Sequence, residues 1–209
     1  MFHWEQKLLK NRQVRFIAGV DEAGRGPLAG PLVVAAVIVK PEKENSRLFS
    51  PKFENRIADS KVLTAQERER SFIEIMVKAW VGVGIAGMDL IDNSDLTVAT
   101  RFAAETAIDN LNKKPQHILT DGGIVLPAHY SYTCLVKGES RSFSIACASI
   151  IAKVVRDRIM NAYDRFFPVY EFRKHKGYGT QQHMGLLKKY GPSPIHRKNF
   201  WPVSTWFPR

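Results

Sequence analysis

Residues 19–31 read Gly19-Val20-Asp21-Glu22-Ala23-Gly24-Arg25-Gly26-Pro27-Leu28-Ala29-Gly30-Pro31. Two adjacent carboxylates follow an apolar run and lead straight into a glycine-rich basic turn. Upstream, Val14, Phe16, Ile17 and Val20 read as a buried strand, which puts Asp21 and Glu22 at or near its end. Downstream, Pro31 to Val39 is almost wholly apolar and rich in β-branched residues. It reads as a second buried strand, antiparallel to the first after a short connection. Successive side chains on an extended backbone point to opposite faces. Both acids therefore reach one bound ion only if the chain bends, and Gly24 and Gly26 permit a bend. Oxygen ligands of this kind suit a hard divalent cation such as magnesium. The plain alternative is an exposed acidic pair in a turn.

Outward from this stretch the pattern is mixed α/β. Residues 40–58 are polar and irregular. Thr64-Ala65-Gln66-Glu67 has the form of a capping box. Phe72, Ile73, Met76, Val77 and Trp80 then recur at helical spacing, which predicts a helix over 65–79 with that face inward. Val81, Val83 and Ile85 alternate with Gly82, Gly84 and Ala86, a third strand packed close under another element. Ser94 is placed as the cap of a helix running to about Asn112, with Leu96, Ala99, Phe102, Ala103, Thr106, Ala107 and Leu111 inward. His117 to Thr120 is a short strand ending at Asp121, and Gly122-Gly123 turns the chain. Tyr132 to Val136 is a fifth strand, ending at Lys137-Gly138-Glu139. Ile145 to about Tyr163 is a long helix whose small residues permit close packing. From Phe166 the chain is rich in Pro, Gly, Tyr and basic residues, with one short helix near Gln181–Tyr190. The periodicity supports helices covering a five-stranded sheet.

Composition narrows the function. The 209 residues are 44% hydrophobic, enough for a real core. No apolar stretch is long enough to span a membrane, and the N-terminus lacks a signal-peptide apolar region. Cys134 and Cys147 are the only cysteines. Both lie among apolar residues and read as free buried thiols of a cytoplasmic protein. The formal charge is +11, from 31 Lys plus Arg against 20 Asp plus Glu, which favours a polyanionic partner. A basic protein that keeps acids in its motifs fits nucleic-acid binding, with the carboxylates reserved for metal. The glycines at 24 and 30 lack the spacing and the Lys-Ser/Thr pair of a Walker loop. No histidine pair has zinc-like spacing and no Cys-x-x-Cys occurs.

The string from Asp21 to Pro31 resembles the opening motif of bacterial ribonuclease HII. Further pieces recur in order: Asp59-Ser60-Lys61, Asp121-Gly122, Val136-Lys137-Gly138, Ala148-Ser149-Ile150-Ile151-Ala152-Lys153, Arg156-Asp157, His175-Lys176-Gly177-Tyr178 and Gly191-Pro192-Ser193-Pro194-Ile195-His196-Arg197. The resemblance covers roughly residues 14–203. It implies an RNase H-like mixed sheet flanked by helices, with a small helical and loop extension at the C-terminus. The chain is then one domain over 1–209, with a catalytic core at about 14–165 and a substrate-binding segment at 166–209.

The same resemblance implies the site. Asp21, Glu22, Asp121 and Glu139 fall on the four catalytic, metal-binding carboxylates, for Mg2+ or Mn2+ in a two-metal arrangement. The last position is commonly Asp, and the longer Glu139 is a departure that bears on metal spacing and preference. Asp157 is the rival for the fourth acid, although an acid between two arginines reads more simply as an ion pair. Gly24, Arg25 and Gly26 match the tripeptide that reads the 2′-hydroxyl at an RNA–DNA junction. Tyr178 matches the tyrosine that packs on the next deoxyribose, against the reading of an ordinary surface tyrosine. Ser60 and Lys61 become candidates for phosphate contact, against simple helix-entry polarity. Arg47, Arg141, Lys153, Lys174, Lys176, His196, Arg197 and Lys198 are further candidates for backbone contact. The implied activity is endonucleolytic hydrolysis of RNA in RNA–DNA hybrids and 5′ to single ribonucleotides in duplex DNA. It leaves a 3′-hydroxyl and a 5′-phosphate. The competing classes are another RNase H-like nuclease, such as a junction resolvase, and a non-catalytic nucleic-acid-binding module.

Overall fold

The computed structural model describes residues 1–42 and 49–207; Arg47 lies outside the described residues. A short helix α1 (His3–Leu9) precedes strands β1 (Ile17–Ala23) and β2 (Leu32–Val39). Helix α2 (Ala65–Lys78) leads into β3 (Ala79–Ala86), then α3 (Met88–Asn93) and α4 (Leu96–Asp109). Strands β4 (His117–Asp121) and β5 (Tyr132–Leu135) follow. Then come α5 (Gly138–Arg141), the long α6 (Phe143–Phe166), α7 (Phe172–His175) and α8 (Gln181–Tyr190). The strands form one sheet in the order β3-β2-β1-β4-β5. β1 pairs antiparallel with β2, and β2 with β3, whereas β1–β4 and β4–β5 are parallel.

Burial on both faces explains why β2 is apolar at every position: all eight of its residues are buried. One face packs on α4, through Ala99, Ala103 and Ala107. The other packs on α2 and α6, through Ile75, Cys147, Ile150 and Ile151. The glycines of β3 answer to this layering. A Cβ on Gly82 would lie 2.1 Å from the Ala107 carbonyl, and one on Gly84 would lie 2.0 Å from that of Ala103.

Four sequence expectations are corrected. In α2 the inward stripe is Ser71 and Ile75, while Ile73, Met76 and Val77 are exposed and Trp80 belongs to β3. The polar position turns inward because the Ser71 hydroxyl donates to the Arg56 carbonyl and so anchors the segment before the helix. The cap of α4 is Asp95, whose carboxylate accepts from Val98 N; the Ser94 hydroxyl instead closes α3 on the Leu90 carbonyl. Phe102 is exposed on α4. Cys134 is exposed on the edge strand β5, and only Cys147 is buried. The Thr64–Glu67 capping box is present in both directions. Among the described residues no helix is long and apolar enough to cross a membrane.

Candidate active site

Parallel pairing of β1 with β4 ends at Val20 and Thr120. The next residues, Asp21 and Asp121, therefore stand where the two strands separate at their carboxyl ends. Here Asp21, Glu22 and Asp121 bring ligand oxygens within 4.8 Å of one another. Asp21 is buried, and one of its oxygens accepts from the Glu22 amide at 2.8 Å. The Arg25 guanidinium lies 3.9 Å from Glu22 and donates to the Gly123 carbonyl at 2.9 Å. That side chain ties the glycine-rich turn to the turn after Asp121.

Glu139 is not at a strand end. Lys137 adopts a left-handed conformation (φ 54°), which swings the chain out of β5 and places Glu139 in the first turn of α5. Asp121 accepts from the Gly138 amide at 2.7 Å. Glu139 thereby adjoins Asp121 rather than joining the three-acid convergence.

The acids are electrostatically uncomfortable. Burial, then the Glu22 charge, pushes the Asp21 carboxyl well above its ordinary range. Burial raises Glu22 as well, against the pull of Arg25. Burial and the neighbouring Asp121 raise Glu139. Glu22 and Glu139 each keep a buried oxygen, Oε2, with no hydrogen-bond partner. Ionised carboxylates crowded out of water need a counter-charge. The donor set is all oxygen, and two of its oxygens are unclaimed. That fits a hard divalent cation.

Lys61 is a nearby cation. Partial burial would lower its pKa, but Asp59, Glu139, Asp21 and Asp121 together raise it, so its ammonium faces the acids. Ser60 is buried, and its hydroxyl accepts from that of Ser149 on α6 at 3.0 Å. Ser149 also lies close enough to Asp21 to favour its ionised form, against the effect of burial. From the sequence, Ser149 is only one of the small residues of the long helix. Asp157 is apart from the cluster. It pairs with Lys153 at 2.7 Å and lines a hollow of about 400 Å³ with Arg68, Lys153, Lys174 and Lys176. Tyr178 is exposed above this ground, its ring 5.8 Å from Lys153 Nζ and 5.6 Å from the Arg156 guanidinium.

Two of the candidates for backbone contact are, like Ser60, interior. His196 and Arg197 are 1% and 0% exposed. Arg197 donates to the carbonyls of Gly24, Arg25 and Gly30. Arg156, also buried, donates to those of Ala29, Pro31 and Lys176. Gly24 has φ +102°, and a Cβ there would meet Arg156 Nε at 2.2 Å, so only glycine fits over the guanidinium. Beside the arginines runs a histidine chain. Ser193 N donates to His196 Nδ1, which puts the His196 proton on Nε2, 3.0 Å from His183 Nε2. The His183 proton then sits on Nδ1 and goes to the Tyr178 carbonyl at 2.9 Å. His175 accepts from Gly177 N and donates to the Tyr170 carbonyl. Burial keeps all three neutral, lowering His183 to about 4 and His196 to about 3. The basic, polar composition of the tail gave no sign of this interior role.

The family model for ribonuclease HII matches residues 18–203. A ribonuclease HII of Pseudothermotoga lettingae is 48% identical over 187 residues, covering 90% of this chain and 78% of that protein. One from Thermotoga maritima is 46% identical over 196 residues, covering 93% and 77%. Among solved structures, the ribonuclease H2 of Pyrococcus horikoshii superposes with a TM-score of 0.71 at 26% identity, covering 91% of this chain and 96% of that one. The chain belongs to the ribonuclease HII family of endonuclease hydrolases.

Proposed function

We propose that this protein is a metal-dependent endoribonuclease. It hydrolyses the RNA strand of RNA–DNA hybrids and cuts 5′ to single ribonucleotides in duplex DNA, acting in the cytoplasm. The observation that carries the reading is the convergence of Asp21, Glu22 and Asp121 within 4.8 Å, beside a Gly24-Arg25-Gly26 turn that is exposed at Gly26. Asp21, Glu22, Asp121 and Glu139 would hold magnesium or manganese. Such ions, when bound, neutralise charge on the attacking and leaving oxygens and make a coordinated water more acidic.

The chain's own residues do the rest. Water attacks phosphorus and the bond to the 3′-oxygen breaks, which leaves a 3′-hydroxyl and a 5′-phosphate. Lys61 supplies a cation beside the acids, placed to meet a phosphate that would otherwise be repelled by them. Arg25, held by Glu22 and Gly123, fixes the turn that faces the ribose. Tyr178 offers an exposed ring for the following deoxyribose, which has no 2′-hydroxyl to be accommodated. Arg68, Lys153, Lys174 and Lys176 give a cationic surface for the phosphate backbone.

The test is a mapped cleavage pattern on three labelled duplexes with magnesium or manganese, and with EDTA as control. They are all-DNA, DNA with one embedded ribonucleotide, and continuous RNA on DNA. The reading requires cutting of the second and third only, at the 5′ side of the embedded ribonucleotide, abolished by EDTA. Comparable cutting of all-DNA, or cutting indifferent to the ribonucleotide, rejects it.

A further inference from the structure

Arg197 makes three side-chain hydrogen bonds, all to backbone carbonyls and none to a carboxylate. Nε reaches Gly30 at 2.9 Å, Nη1 reaches Arg25 at 2.9 Å and Nη2 reaches Gly24 at 2.6 Å. In a trans peptide unit the N–H points opposite to the C=O. The carbonyls of Gly24 and Arg25 share their peptide units with the amides of Arg25 and Gly26. Drawing both carbonyls onto one buried guanidinium turns both amides outward, side by side. Neither amide has a hydrogen-bond partner among the described residues. Gly26 is exposed, and a Cβ there would meet nothing within 4 Å, so no side chain crowds the turn at that residue. The Arg25 side chain does not cover them, because Gly123 and Glu22 hold it to one side.

A buried cation without a carboxylate is an expensive way to hold a loop. Burial and the neighbouring Arg156 lower the Arg197 pKa to about 9. A lysine could not bond three carbonyls from one planar fork, and a neutral amide side chain has donors for only two of them. The feature that needs a guanidinium is the shared direction of the two peptide units.

We propose that Arg197 is a specificity-determining positioning residue: from beneath the turn it aims the amides of Arg25 and Gly26 at the 2′-oxygen of a ribonucleotide. The proposal rests on the ribonucleotide reading given above and adds the residue that enforces it.

Binding in EDTA to two duplexes, one all-DNA and one with a single ribonucleotide, separates the two claims. Wild-type protein that binds both equally contradicts the ribonucleotide reading itself. If wild type prefers the ribonucleotide, Arg197→Lys and Arg197→Gln are compared after circular dichroism and thermal melting establish their folding. The expected result is unchanged affinity for all-DNA and a preference reduced about tenfold. Amide NMR of isotope-labelled wild type gives a second reading that needs no variant. The Arg25 and Gly26 amides should shift with the ribonucleotide duplex and not with all-DNA. Equal weakening toward both duplexes, an unchanged preference, or loss of folding in both variants places Arg197 in the framework alone and overturns the proposal. So do amide shifts that are the same for the two duplexes.

Discussion

Two of the regions in which the described residues bury ionisable groups treat them in opposite ways. At the carboxyl ends of β1 and β4, acids are crowded with raised pKa values, and buried oxygens of Glu22 and Glu139 are left without partners. A few residues away, beneath the 24–31 turn, Arg156, Arg197, His175, His183 and His196 are buried with their polar atoms allocated. Buried polar groups are normally satisfied, so the contrast is informative. The satisfied region holds backbone in place. The unsatisfied one is, on the function proposed above, completed by a divalent cation. Sequence rules fail most usefully at such a site, where stability has been given up for function.

The contrast breaks most sharply on activity. Asp121→Asn or Glu22→Gln should lower cleavage about a thousandfold or more, because a ligand charge is lost, while far-UV circular dichroism stays unchanged. A near-wild-type rate in either removes that residue from the unsatisfied region. The next largest effect separates Glu139 from Asp157. Glu139→Ala should cost about a hundredfold, and Glu139→Asp should stay active with an altered preference between magnesium and manganese. Asp157→Asn should stay within about threefold, because its partly buried pairing with Lys153 lies apart from the acid cluster. Parallel rate measurements in the two metals decide it; a dead Asp157→Asn with an active Glu139→Ala would exchange their roles.

The satisfied region should answer in stability. His183→Ala leaves the Tyr178 carbonyl and the His196 Nε2–H without partners and should cost about 2 kcal/mol above pH 6.5. The sign of its pH dependence follows from burial. Folding lowers His183 from 6.5 to about 4, so its contribution is full above 6.5 and is lost as pH falls toward 4. The penalty of the substitution should therefore shrink over that interval in urea unfolding experiments. A penalty that does not change with pH would mean His183 is not held neutral.

How far the sequence reveals these two regions differs for a physical reason. Motif acids at the ends of apolar runs are local signals, so Asp21, Glu22 and Asp121 are legible, as are the five strands and the glycine contacts of β3. Glu139 is legible as an acid but not as a helical one, because Lys137 turns the chain by a left-handed backbone that propensity does not signal. The framework is non-local. Arg197 meets Gly24 across 173 positions and Arg156 meets Pro31 across 125. A basic residue in a polar tail looks solvated until the fold closes over it. Ser71 and Ser60 mislead in the same way, each being a polar residue buried by a partner distant in sequence.

The central claim, that the acids are an unsatisfied site completed by metal, is tested most directly by melting wild type and Asp21→Asn at about pH 8 in EDTA and in magnesium. Asp21 has a raised folded-state pKa, so its ionised form is penalised as pH rises above its ordinary 3.8, and the neutral amide escapes that penalty. The account predicts that Asp21→Asn melts about 2–4 °C above wild type in EDTA. It also predicts that magnesium stabilises wild type while leaving the variant nearly unmoved. A variant that melts below wild type in EDTA and gains as much from magnesium would contradict it.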